Sequence, residues 1–130
     1  MHQKIAIATP HAPQAIGPYS QAIQQNGWLY ISGQIALDPT TGVVVGQGDV
    51  GAETHRVMQN LAAILEAAGG GFKDVVKCQI FLADMDDFAT VNEIYASYLS
   101  EPFPARATVQ VAKLPKGVKV EIDATAFVGG

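Results

Sequence analysis

Apolar residues recur along this chain with two different periods, and the alternation between them lays out the fold. In residues 51 to 68, Val57, Met58, Leu61, Ile64, Leu65 and Ala68 fall at helical spacing, which predicts an amphipathic helix. Gly69, Gly70 and Gly71 stop it. Residues 86 to 99, DDFATVNEIYASYL, carry a second stripe through Phe88, Val91, Ile94, Tyr95 and Tyr98, with Asp86 or Asp87 as N-cap.

Elsewhere the period is two. VVKCQIFLAD, residues 75 to 84, reads as a strand that is apolar on both faces, as a central strand should be. Residues 20 to 34 read as a hairpin, because Asn26 and Gly27 suit the positive-φ positions of a type I′ turn. That turn sets Gln25 opposite Trp28, Ile23 opposite Tyr30, Gln21 opposite Ser32 and Tyr19 opposite Gln34. Tyr19 and Ser32 are then diagonal neighbours on one face. Residues 38 to 42, DPTTG, form another turn, and the proline-containing opening is a short strand, Lys4 to Ala8, followed by a surface loop. The chain closes on a hairpin from about Ala105 to Val128, turning near Leu114, Pro115, Lys116 and Gly117.

The order is hairpin, helix, strand, helix, hairpin. Right-handed crossovers put both helices on one side of a single mixed sheet. The expected fold is an α+β two-layer sandwich in one domain spanning residues 1–130. Alternation assigns Leu29, Ile31, Val76, Cys78, Ile80, Leu82, Val109, Val111, Val118, Val120 and Ile122 to the face beneath the helices. Trp28, Tyr30, Ser32, Lys77, Gln79, Phe81, Arg106, Thr108, Gln110, Lys119, Glu121, Asp123 and Phe127 fall on the other face. No helix remains to cover that face, and its mixture of large aromatics with charges marks an interface. A homo-oligomer packing these faces together, with clefts between subunits, is the expectation.

Composition narrows the function. Apolar residues make up 48% of the chain and charged ones 15%, which is globular. The net charge is −4 and only Arg56 and Arg106 are arginines, so a basic nucleic-acid footprint is missing. Cys78 is the single cysteine, which excludes an intrachain disulfide. No window approaches the ~18 apolar residues of a membrane span, and the first residues lack a signal-peptide pattern. The cytoplasm is therefore the expected location. His2, His11 and His55 are scattered without metal-ligand spacing. Cys78 alternates toward the aliphatic side and reads as a core thiol.

Two residues in the closing segment bear chemistry. With a turn near residues 114 to 117, Arg106 and Glu121 share a face, opposite or diagonal to one another. They could form a cross-strand ion pair, worth a few tenths of a kcal/mol when exposed. They could instead form a site: an arginine fork binds a carboxylate through two hydrogen bonds, and a nearby glutamate can deprotonate a water.

AIGPYSQA at 15 to 22, ISGQIALDPTTG at 31 to 42, DFATVNEIY at 87 to 95 and FPARATVQVAKLPKGVKVEIDATA at 103 to 126 resemble the Rid/YjgF family of reactive-intermediate imine deaminases. The resemblance covers nearly the whole chain. It implies a chorismate-mutase-like fold, a homotrimer with three intersubunit clefts, and neither metal nor organic cofactor. The implied reaction hydrolyses 2-aminoacrylate and 2-iminobutanoate to 2-keto acids and ammonia. Position by position, the carboxylate-binding arginine falls on Arg106 and the water-activating glutamate on Glu121. Tyr19, Ser32, Gly33 and Asn92 match the pocket positions. Thr108 stands where the family often has cysteine, contributing through its backbone carbonyl. Three other functions compete: a keto-acid-binding or chaperone-like module without turnover, the ribonuclease or translation inhibitor attached to the family's name, and a chorismate mutase. The acidic balance disfavours RNA, and a single arginine is few cations for a dianionic mutase substrate.

Overall fold

A computed structural model of the chain describes residues 3–129; His2 lies outside them. Six strands form one mixed sheet: β1 (Ile5–Ile7), β2 (Ala22–Gln25), β3 (Trp28–Gln34), β4 (Val75–Leu82), β5 (Ala105–Gln110) and β6 (Val120–Phe127). Two helices complete it, α1 (Val50–Ala67) and α2 (Phe88–Ser97). The spatial order is β1-β2-β3-β6-β4-β5, with β4 and β5 parallel and the other neighbours antiparallel. This is the expected α+β architecture. Both helices lie on one face, where Val57, Leu61, Ile64 and Leu65 of α1 and Val91 and Tyr95 of α2 meet Leu29, Ile31, Ile80 and Ile122 of the sheet.

Local chemistry explains the element boundaries. Asn26 and Gly27 have φ of 55° and 83°, and the register pairs Gln25 with Trp28 and Ile23 with Tyr30, as a type I′ turn requires. The Asp49 side chain accepts from the Ala52 N–H and caps α1, and Gly69 follows its end at φ 85°. Before α2 the capping carboxylate is Asp84, not Asp86 or Asp87: it accepts from the Asp86 N–H of a short 3-10 turn, while Asp87 makes no side-chain cap bond. Pairing of β2 with β3 stops at Ala22, so Tyr19 lies in a loop and does not pair with Gln34.

The closing segment departs furthest from expectation. β5 and β6 do not form a hairpin. β6 runs between β3 and β4, and β5 lies beyond β4 at the edge of the sheet. The β4–β5 register sets Cys78 beside Arg106, Ile80 beside Thr108 and Leu82 beside Gln110. Paired residues share a face, so Arg106, Thr108 and Gln110 lie on the helix side and Val109 on the open side, 45% exposed. Phe81 pairs with both Val109 and Glu121, which keeps Glu121 on the open face. A register shift between Val75 and Lys77 also turns Val76 outward, 43% exposed, and buries Val75 in its place. The remaining aliphatic assignments hold for Leu29, Ile31, Cys78, Ile80, Leu82, Val118, Val120 and Ile122, all buried, while Val111 is half-buried.

The open face carries Trp28, Tyr30, Phe127, Val76 and Val109, each at least 38% exposed. Trp28 and Phe127 meet edge to face, their ring centroids 4.9 Å apart. Among the described residues no helix is long and apolar enough to cross a membrane.

Candidate active site

Arg106 and Glu121 stand on opposite faces of the sheet with β4 between their strands, so one chain does not bring them together. Two strand spacings of about 4.8 Å separate them laterally, and three residues of about 3.3 Å separate them along the strands. Each is instead the centre of its own half-site.

The first half-site sits where the edge strand β5 meets α2. The guanidinium carbon of Arg106 lies 5.5 Å from the centroid of the Phe88 ring and 5.4 Å from that of Tyr95. Its Nη1 donates to Asn92 Oδ1. Phe88, Asn92 and Tyr95 occupy positions i, i+4 and i+7 of one helix face, so a single stretch of α2 holds the cation. No carboxylate neutralises Arg106 among the described residues, where the one ion pair is Lys73 with Asp74. Arg106 also lines a cavity of about 380 Å³ with Asn92, Tyr95, Ala96, Phe103 and Pro104. Beneath it, burial pushes the Cys78 thiol up, and burial with the adjoining thiol pushes the Tyr95 hydroxyl up, so both stay protonated. Thr108 turns its side chain inward; its hydroxyl is buried without a hydrogen-bond partner. Val111 N–H bonds the Leu82 carbonyl, so strand alternation aims the backbone N–H and C=O of Arg106 and Thr108 at the free sheet edge.

The second half-site surrounds Glu121. A cavity of about 350 Å³ is lined by Tyr19, Gly33, Gln34, Ile35, Leu37 and Glu121, together with Ile16, Pro115 and Lys116. A register shift in β3 between Ile31 and Gln34 brings Gly33 against the glutamate. A Cβ at Gly33 would stand 2.3 Å from Glu121 Oε2, so the carboxylate occupies space that any side chain there would take. Burial, and second the charge of Asp123, raise the Glu121 carboxyl above the usual carboxylate range. Asp123 is raised by burial too, opposed by the Gln79 backbone N–H it accepts.

Tyr19 is exposed, and its hydroxyl takes a 3.4 Å bond from the Ile16 N–H of its own loop. Ser32 Oγ donates to the Ser20 carbonyl at 2.6 Å, and Ser32 N–H bonds the Gln21 carbonyl at 3.0 Å. Its hydroxyl proton is thus committed to holding the segment that follows Tyr19. Of the seven sequence-derived positions, Arg106 and Asn92 line the first cavity and Glu121, Gly33 and Tyr19 the second; Thr108 lies two residues along β5 from Arg106, and Ser32 lines a separate groove beside Tyr19 and Tyr30. Phe88, Tyr95 and Phe103 join the first half-site without having been singled out. Phe88 and Tyr95 were legible as an apolar stripe; the cation they face was not.

The Endoribonuclease L-PSP family model matches residues 9–128. The chain belongs to the Rid/YjgF family. It is 54% identical to the 2-iminobutanoate/2-iminopropanoate deaminase of Mus musculus over 123 residues, covering 95% of this chain and 90% of that one. A Yersinia pestis structure described as a protein of unknown function of the conserved Rid family superposes with TM-score 0.94 at 47% identity, covering 97% of this chain and all of that one. Escherichia coli TdcF, solved with bound serine, gives TM-score 0.89 at 41% identity, covering 95% and 98%. This Rid chain therefore shares its fold with both solved relatives.

Proposed function

We propose that the chain hydrolyses small reactive 2-imino acids, 2-iminobutanoate and the tautomer of 2-aminoacrylate, to 2-keto acids and ammonia, in clefts between copies of itself. The observation that carries this reading is Arg106. It is a cation held by a neutral amide and two aromatic rings at the lining of a cavity, which suits a substrate carboxylate. The deaminase name of a relative at 54% identity and the serine bound to TdcF support a small amino-acid-like ligand.

Because Glu121 lies on the other face, its partner arginine must come from another copy. The exposed aromatic sheet face supplies the surface for that assembly, and a trimer with three equivalent clefts is the proposed form. In such a cleft Arg106 fixes the acid and Tyr19 walls it. The free-edge carbonyl of Thr108 accepts from the substrate nitrogen, and Gly33 leaves room for the glutamate. Ser32 and Asn92 act by holding Tyr19's segment and Arg106.

The chemistry balances without a cofactor. Water adds to the imine carbon as Glu121 takes its proton. The same carboxyl delivers that proton to the nitrogen, giving a carbinolamine. The carboxylate next takes the hydroxyl proton and passes it to the amine, the C–N bond breaks, and ammonia leaves a carbonyl behind. A carboxyl with a raised pKa serves both steps, because it ionises at a pH where it still returns protons readily. Positioning through Arg106 removes much of the entropic barrier, and general-base help adds about 10²–10⁴-fold.

The test is keto-acid release from imines generated in place by a threonine dehydratase. Wild type should accelerate it, with Arg106→Ala and Glu121→Ala at the uncatalysed rate. Stoichiometric 2-ketobutyrate binding without acceleration would favour a binding module instead. The family's endoribonuclease name offers a further reading, which the net charge of −4 disfavours.

A further inference from the structure

Two walls of the Glu121 cavity come from segments outside the long strands and helices: Ile35 and Leu37 after β3, and Pro115 and Lys116 before β6. Each has some backbone bonding of its own, Leu37 bridging Val44 and Pro115–Gly117 forming a short 3-10 turn, and both are also anchored by α1. Asn60 Nδ2 donates to the carbonyls of Ile35 at 3.2 Å and Leu37 at 3.1 Å, while its Oδ1 accepts from Arg56 Nε at 3.0 Å. Glu53 Oε1 accepts from the Lys119 N–H at 2.8 Å, and Oε2 from the Gly48 N–H at 3.2 Å. Lys119 lies between the Pro115 wall and the start of β6, two residues before Glu121. Gln47 Nε2 adds a 3.0 Å bond to the Lys116 carbonyl from the loop that Glu53 grips.

Glu53 and Asn60 are both 0% exposed. They stand seven residues apart on one face of α1, and neither lines the cavity. A fully buried carboxylate and amide are costly unless every polar atom is matched, and apolar residues would pack that helix face more simply. Here every polar atom is matched: Asn60 Nδ2 and Glu53 Oε1 on the segments that form the walls, Glu53 Oε2 on Gly48 and Asn60 Oδ1 on Arg56.

We propose that Glu53 and Asn60 are positioning residues, which set the distance between the two walls and the placement of Glu121 for catalysis. The proposal rests on the deaminase reading for its kinetic consequence, and on the geometry alone for its structural one. It separates two tasks. The acid is bound by Arg106 at the other half-site, so loosening the walls impairs the water-activating step more than binding.

The experiment compares Glu53→Gln and Asn60→Leu with Thr54→Val in the full chain. Thr54 is also 0% exposed, but its hydroxyl donates to the Val50 carbonyl of its own helix at 2.6 Å and touches neither wall. Imine turnover, thermal midpoint and backbone amide resonances are measured on all three. Glu53→Gln and Asn60→Leu should lower kcat about tenfold with KM within about twofold, since sub-ångström misplacement of a catalytic group acts on this scale. Their resonance changes should reach Glu121 and Gly33. Thr54→Val should lower the midpoint only.

Equal losses of midpoint in all three variants, with kcat and the Glu121 and Gly33 resonances unchanged, would overturn the proposal. If wild type fails to turn over imines, the deaminase reading falls, and the resonances still decide whether α1 positions Glu121. If the buried variants do not fold, Gln47→Ala removes the exposed Lys116 bond alone. It should shift the resonances from Lys116 to Glu121, and their constancy would equally overturn the proposal.

Discussion

Gly33 shows how little room the chemistry leaves at single residues. Its missing side chain is filled by the Glu121 carboxylate, 2.3 Å from where a Cβ would stand. Gly33→Ala should fold, because the obstructing atoms are the end of a flexible side chain. It should nevertheless lower kcat about 10–100-fold by moving the proposed base away from the water it would activate. Steady-state kinetics beside a circular dichroism melt check both halves. Glu121 also sets a pH dependence. Its folded pKa is raised, so the ionised base accumulates only as pH climbs past the usual carboxylate range of about 4.3. The acid limb of kcat/KM should lie above that value. Asp123→Asn removes the second cause of the shift and should move the limb to lower pH; an unmoved limb would exclude coupling between the two carboxyls. Stability has the opposite sign, because the fold favours the protonated carboxyl and loses stability as pH rises through the raised pKa.

At the scale of elements, the hairpin of β2 and β3 and both helices were legible because their signals are local. Asn26 with Gly27, and the apolar stripe from Val57 to Leu65, need no knowledge of the rest of the chain. The placement of β5 was not legible. Its alternation, Arg106, Thr108 and Gln110 against Ala107, Val109 and Val111, says that two faces differ, but not which one meets the helices. Pairing with Cys78, Ile80 and Leu82 decides that, and pairing is non-local. The polar set could turn inward because α2 offers Asn92 and two rings to Arg106. Thr108 carries the cost, since its buried hydroxyl has no partner. Thr108→Val keeps the shape and the backbone carbonyl. It should leave activity unchanged and raise stability by about 1 kcal/mol, the lower end of the cost of an unmatched buried polar group. Denaturant unfolding measures this; a loss of stability would mean that the hydroxyl has a partner.

For the whole molecule, alternation in the sequence set the strand-borne candidate site residues together on one sheet face, and one chain does not do so. Arg106 and Glu121, read there as cross-strand neighbours, belong to two faces of one sheet, each beside its own cavity. The aromatic open face, with Trp28, Tyr30 and Phe127 exposed, gives copies a reason to associate. On the proposed reading, association would supply what a lone chain lacks, an arginine half facing a glutamate half. The most direct measurement mixes two inactive proteins. Arg106→Ala and Glu121→Ala chains are co-refolded in equal amounts, and 2-iminobutanoate hydrolysis is compared with each alone. In cyclic trimers whose clefts each draw one half from either neighbour, about a quarter of the sites should regain both residues, and activity should return to about that fraction of wild type. Mixed assemblies that form and remain inactive would contradict a site shared between copies.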